Sequence, residues 1–234
     1  MKKYLLILIT PFMLFAQTYM AKVEPYDEFI IYSQAAGQIV KLDKSDETKV
    51  VNKTLIKLDT SLEQKELAIY NKQLALYNKK LKILENSYSK YKAIKGKSQA
   101  DKDDKLYVII ELQISIESLK LNIKTLEDTL KKKTILAKDL YIKEFNVNVG
   151  DYVSIGTELA SAYDISKSKL LVYVSEDDYK DIKNKKVLIN GKENIATIEK
   201  IDKTLDETFV SAHKITLILK DDDFGKVLKV EFVK

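Results

Sequence analysis

Leu67-Ala68-Ile69-Tyr70-Asn71-Lys72-Gln73-Leu74 opens the stretch that decides the fold. Its apolar positions continue as Leu67, Tyr70, Leu74, Tyr77, Leu81, Leu84, Tyr88 and Tyr91, at spacings that alternate three and four. That is an unbroken heptad seam along one helix face. A second run, Ile109, Leu112, Ile116, Leu119, Ile123, Leu126 and Leu130, repeats the alternation. Folded back on the first run, Leu67/Leu130, Leu74/Ile123, Leu81/Ile116 and Tyr88/Ile109 each sum to 197. Tyr70/Leu126, Tyr77/Leu119 and Leu84/Leu112 each sum to 196. A constant sum is what an antiparallel pair requires, and its centre falls near Ser98. The helix breakers Gly96-Lys97-Ser98-Gln99-Ala100-Asp101 sit there. Gly96 suits a helix C-terminus, and Ser98 or Asp101 suits the cap of the next helix. Thr60-Ser61-Leu62-Glu63 reads as a capping box, with Thr60 as cap and Glu63 reaching back. The spacing predicts helices over about 61–95 and 101–133, a rod of about 50 Å at ~1.5 Å per residue. Ile110, Ile114 and Leu121 form a second apolar stripe, suited to a wider core or to a neighbouring subunit.

Composition narrows the function. The chain has 234 residues, 45% hydrophobic and 32% charged, which is too apolar for disorder and too charged for a polytopic membrane protein. All 40 basic residues are Lys, interspersed with 35 acids to a net charge of +5. Nucleic-acid binders cluster basic charge and favour the Arg fork, so these lysines read as a solvated surface. There is no Cys and one His, His213, which excludes disulfides, thiol catalysis and Cys-based zinc sites. With six Gly and two Pro, long regular elements are expected.

Met1-Lys2-Lys3 followed by the apolar stretch Tyr4–Ala16 reads as a secretory signal, residues 1–16. It is shorter than the ~20 apolar residues a spanning helix needs. Cleavage fits after Ala16 or after Ala21, and an uncleaved anchor stays open because position −3 is Leu14 or Tyr19.

The segments flanking the helices read as strands. Phe29–Tyr32 and Ala36-Gly37-Gln38-Ile39-Val40 precede them, with Lys49–Asp59 leading into the first helix. After them come Leu140–Lys143 and Gly150-Asp151-Tyr152-Val153-Ser154-Ile155-Gly156-Thr157-Glu158-Leu159. Gly150 and Gly156 stand where a turn demands positive φ. Asn52 stands near the second glycine position of the first copy, and Asn tolerates the left-handed region.

Two such half-motifs around an antiparallel coiled coil resemble the HlyD-like periplasmic adaptors, or membrane fusion proteins, of tripartite efflux and type I secretion. The resemblance rests on Ala36–Val40, the Leu55–Asp59 strand end and Gly150–Leu159, and covers about 31–219. It implies an elongated mixed α+β fold. A lipoyl-like β-domain is interrupted by the coiled-coil hairpin and followed by a β-barrel domain. Leu170–Asp178 is similar to the strand and acidic turn that open the family's barrel. The expected pieces are 22–59 (first β half), 60–134 (hairpin), 135–165 (second half), 166–220 (barrel) and 221–234 (a short membrane-proximal strand, joined by the segment around 24–30).

Within the barrel region, the patterns predict a strand Leu170–Ser175, a helical turn Glu176–Ile182 and a strand Lys186–Ile189. Asn190-Gly191 is a two-residue hairpin signal returning through Ile195–Ile201. The last strand, Phe209–Leu219, places His213, Ile215, Leu217 and Leu219 on one face.

No catalytic constellation emerges, and no enzyme, cofactor or metal site is expected. Asp43-Lys44 resembles a lipoate-carrying tip, but the inserted helices and export make it a surface turn. Asp221-Asp222-Asp223 lacks the spaced acids and Gly of a calcium loop. Glu176-Asp177-Asp178 reads as the cap and first turn of a helix, and His213 as a packed or rim residue. The resemblance implies a periplasmic location and a homo-oligomeric ring. Its tip, near Lys90, Ile94, Gly96, Ser98 and Asp101, would meet a TolC-like outer-membrane channel. The other end would meet an inner-membrane transporter, proton-driven or ATP-driven. Asp101 stands where family tips carry Ser. The alternatives are a structural or chaperone-like periplasmic hairpin protein and a lipoyl-type carrier.

Overall fold

The computed structural model describes residues 17–193, 195–206, 209, 211–219 and 224–233. The signal-like stretch 1–16 and the acidic run Asp221–Asp223 lie outside the described residues. Two compact units share the chain, residues 30–162 and a unit built from 17–29 with 163 onward.

In the first unit, strands β2 (Gly37–Leu42), β3 (Lys49–Leu58) and β4 (Thr134–Phe145) pair antiparallel. Helix α1 (Ser61–Lys92) continues β3, and helix α2 (Gln99–Lys132) leads into β4. The β3–β4 ladder runs to Lys57↔Thr134, so paired strands hand over to paired helices. The helices are antiparallel: Lys133 meets Glu63 at one end, and Lys105 lies over the Tyr91 ring at the other. At ~1.5 Å per residue they run about 48 and 51 Å. Their contact follows the seam. Ile109, Leu112, Ile116, Leu119 and Ile123 are the buried residues of α2. The seam residues of α1, from Leu67 to Tyr91, are half-buried amid exposed neighbours. Helix α1 itself has no fully buried residue.

The two β half-motifs interlock. β5 (Tyr152–Val153) pairs with β2 through Gly37↔Val153 and Gln38↔Tyr152. Gly150 donates to the Ile39 carbonyl at 2.8 Å, and Gly156 to the Ser33 carbonyl at 2.8 Å. Ile39, Leu55, Ile56, Leu58, Ile142, Val153 and Leu159 form the buried core.

In the second unit, part of β1 (Thr18–Tyr32) pairs antiparallel with β10 (Val227–Val233), which pairs with β7 (Lys186–Ile189). The end of β6 (Glu158–Ser175) pairs with β9 (Ala212–Leu219), and β9 with β8 (Ala196–Leu205). Both sets fill one core: Ala21 and Val23, Leu170, Val172 and Val174, Ile215 and Leu217, Val230 and Phe232. Helix α3 (Glu176–Lys180) follows β6. His213, Ile215, Leu217 and Leu219 are all buried, as their alternation requires.

Four expectations are corrected. The tail strand is not a separate piece of the fold. Val230 and Phe232 face the same core as β6 and β9, because β10 is held between β1 and β7. Asn190-Gly191 does turn with positive φ at both residues, but among the described residues only Ile189↔Lys192 closes across it. β8 then leaves to pair with β9, where Ile198 and Ile201 reach apolar neighbours. Asn52 is not left-handed. It lies in β3 and donates to Asp139 Oδ1 at 2.8 Å, while Asp139 and Thr48 take φ of 51° and 60°. The ladder shifts register beside Asn52, so the irregular residue is on the opposite strand. The α1 capping box is absent: Thr60 makes no side-chain cap bond, and Asp59 accepts from the Ser61 N–H at 2.9 Å. Glu63 turns to Lys133 instead.

Candidate functional site

Residues 93–98 join the helices at the far end of the pair, and every expected tip residue lies there or in the adjoining turns. Lys90 is in the last turn of α1 and is exposed. Helix α1 ends at Lys92, not 95, with the Ala93 and Ile94 N–H groups closing on the Lys90 and Tyr91 carbonyls. Ile94 is 49% exposed. Gly96 takes φ +86°, a conformation costly for other residues, in open space. Ser98 is the cap of α2, its Oγ accepting from the Asp101 N–H at 3.1 Å. Asp101 is therefore not the cap but a first-turn acid favoured by the helix dipole.

Two tip residues were missed by the sequence reading. Lys97 and Lys105 place their ammonium groups 5.2 and 4.7 Å from the Tyr91 ring centroid. Tyr91 ends the seam, and its ring face is the natural seat for cations that lack an acid. The tip thus presents an apolar Ile94 beside a lysine-rich rim, with no nucleophile–base pair.

The base of the pair is a second organised place. Lys133 is 7% exposed, donates to the Asp59 carbonyl at 2.9 Å and pairs with Glu63. Gly37 packs beside it: an added Cβ would lie 3.4 Å from Leu58 Cβ and 3.6 Å from Lys133 Nζ. These are ordinary contacts, whereas Gly150 and Gly156 take φ of 97° and 86°, which favour glycine. The Lys133 pairing left no sequence signal beyond Glu63, which the capping pattern claimed.

The remaining candidates resolve as structural groups. Lys44 donates to the Phe145 carbonyl at 3.0 Å and pairs with Glu47 at 3.6 Å, so its amine is engaged in a surface turn capped by Asp43. Ser175, not Glu176, caps α3. Asp178 accepts from Tyr19 Oη and Lys185 Nζ, each at 2.5 Å, tying β1 to α3. His213 stacks on Tyr179 at 3.7 Å and meets Glu176 at 2.8 Å. Among the described residues no group of three or more His, Cys, Asp or Glu could hold a metal ion. No described helix is long and apolar enough to cross a membrane.

No protein-family model matches the chain. No curated protein matches it either. Solved structures do. MacA from Actinobacillus actinomycetemcomitans superposes with a TM-score of 0.65 at 16% identity, covering 94% of this chain and 79% of its own. The membrane fusion protein Spr0693 from Streptococcus pneumoniae R6 gives 0.64 at 13% identity, covering 94% and 100%. A putative efflux transporter from Bacteroides eggerthii gives 0.62 at 14% identity, covering 93% and 68%. A helix pair set between two interlocked β half-motifs, together with a second β unit, is the fold of the membrane fusion, or periplasmic adaptor, proteins.

Proposed function

We propose that the chain is a non-catalytic periplasmic adaptor. It links an inner-membrane transporter to a TolC-like outer-membrane channel for efflux or secretion. The supporting observation is the pair of helices, about 50 Å long, carrying an exposed tip on a fold shared with membrane fusion proteins. A rod of that length covers little of its own surface, so its use lies at its end and along its flanks. In this reading the pair is a coiled coil, the second β unit is the family's β-barrel, and copies assemble as a ring around the conduit. The signal-like start, Lys2-Lys3 and Tyr4–Ala16, supports export.

Crosslinking of the intact protein in cells, followed by affinity capture, tests the role. Recovery of an inner-membrane transporter together with an outer-membrane channel supports it. Capture of neither, with the protein folded and exported, removes it and leaves a structural hairpin protein. The carrier alternative predicts a modified Lys44; the engaged amine argues against it.

A further inference from the structure

Asn190 ends β7, and of the ten Asn in the chain it alone precedes Gly. That pair is reactive. The backbone nitrogen of the following residue can bond to the side-chain amide carbon and close a cyclic imide. A Cβ on the following residue crowds this approach, and glycine has none. Asn190 and Gly191 are both exposed, and a Cβ added at Gly191 meets nothing within 4 Å. The turn therefore has room for the ring and for the water that opens it.

Hydrogen bonding prepares both reacting groups. Asn190 Oδ1 accepts from the Lys229 N–H at 3.0 Å. That bond polarises the amide carbon and stabilises the charge its oxygen gains under attack, as a backbone donor does in acyl transfer. Among the described residues the Gly191 N–H has no acceptor, so the nucleophile gives up no bond within the protein. The turn is also lightly held. Ile189 and Lys192 exchange two bonds of 3.0 Å across it, and β8 then departs to β9. Exposed backbone bonds of this kind open at little cost, which frees the rotation that attack requires. The other Asn lack this combination. Those in α1 and α2 precede N–H groups held within the helices. Asn146 and Asn148 precede Val, whose branched Cβ shields its nitrogen. Asn184 precedes Lys185, whose N–H donates to the Ile182 carbonyl.

We propose that Asn190 is a self-modification site, deamidating in the folded protein through an imide shared with Gly191. The Gly191 nitrogen gives its proton to water and bonds to Asn190 Cγ. The bond from Cγ to the side-chain nitrogen breaks, and that nitrogen takes up a proton and leaves as ammonia. Water then adds to one of the two imide carbonyls. Release of the Gly191 nitrogen from Cγ gives aspartate at position 190. Release from the Asn190 backbone carbon gives isoaspartate, with the main chain running through the former side chain. No oxidant or reductant is needed. Either product lowers the net charge of +5 by one. Aspartate keeps an acceptor for the Lys229 N–H and an unaltered backbone. Isoaspartate lengthens the turn by one carbon next to Ile189, which is 2% exposed in the core with Val230 and Phe232. It therefore loosens β7 from β10, whereas aspartate does not.

The full mature chain, freshly purified and folded, is incubated at mildly alkaline pH and mapped at intervals by peptide mass spectrometry. A sample unfolded in urea supplies the reference peptides. The expected result is conversion at Asn190 at least ~10-fold faster than at any other Asn, a barrier lower by about 1.4 kcal/mol. The rate rises with pH, because the attacking nitrogen must lose its proton, and both aspartate and isoaspartate peptides appear. In urea unfolding, Asn190→Asp keeps the parent midpoint, and the isoaspartate form separated from aged protein unfolds at a lower one. Asn190 intact in the folded sample overturns the proposal, whether or not the unfolded sample converts. Aspartate without isoaspartate overturns the imide route. Equal conversion at several Asn overturns the local preparation of this turn. The outcome is independent of the adaptor role, since no partner enters the reaction.

Discussion

Glu63→Gln at the base of the helix pair is the most demanding substitution the structure offers. Lys133 keeps an ammonium group at 7% exposure, satisfied by the Asp59 carbonyl and the Glu63 carboxylate. An amide in place of the carboxylate preserves shape and one hydrogen bond but leaves the buried charge uncompensated. Breaking such a pair costs about 3–5 kcal/mol. The Glu63 side chain is 19% exposed, so some water reaches the pair and the expected loss is at the low end, about 3 kcal/mol. Replacing both partners, Glu63→Leu with Lys133→Met, removes the charge along with its partner and is expected to recover at least half of that loss. The assay is urea unfolding of the mature chain followed by circular dichroism, with the m-value checked for constancy. A Glu63→Gln midpoint within about 0.5 kcal/mol of the parent would refute the idea that this pair pins the helices to the strands.

Three other outcomes are expected. Leu81→Asp places a carboxylate opposite buried Ile116 and is expected to cost about 2–3 kcal/mol; an unchanged melting temperature contradicts the seam. Partial burial of Asp178 disfavours its ionised form, but hydrogen bonds from Lys185 and Tyr19 outweigh this and hold its carboxyl below the ordinary 3.8. A lowered folded-state pKa stabilises above the unfolded value and is lost as pH falls through the folded one. The stability decline below about pH 4 should therefore be shallower in Asp178→Asn, and an identical acid slope rejects this. Finally, intact-mass measurement of exported protein should give Gln17 as the first residue. Cleavage after Ala21 would remove Thr18 to Ala21, four of the five register partners of β10 in β1. A stable mature chain beginning at Lys22 contradicts that.

What was legible in the sequence was local or periodic. The seam spacings located both helices, and the pairwise sums centred the turn near Ser98, at the edge of the observed 93–98, because helix contacts repeat regularly along a rod. Period-two alternation found the buried face of β9 for the same reason. Pairings decided far along the chain were not legible. β10 joins β1 across more than two hundred residues, through Thr18↔Glu231, and nothing local in Val227–Val233 names that partner. Asn190-Gly191 gave the right turn and the wrong continuation, since a turn fixes two residues and the core fixes the rest. At the candidate tip, Lys90, Ile94, Gly96, Ser98 and Asp101 were found by position. Lys97 and Lys105 were missed, because a cation over a ring face leaves no spacing signature. Glu63 was assigned to the wrong partner because the capping pattern is local and Lys133 is seventy residues away.

Docking by the tip is the claim on which the adaptor role turns, and a photo-crosslinker at position 94 tests it most directly. Ile94 is exposed beside Gly96 at the end of the rod, and loop positions of this kind change stability by no more than about 0.5 kcal/mol. A few central residues carry most of an interface's energy. The expected result is a crosslink from position 94 to an outer-membrane channel, with Ile94→Asp and Asp101→Lys both weakening channel capture and export while the helices stay formed. No crosslink from position 94, together with full export by both variants, would contradict the account.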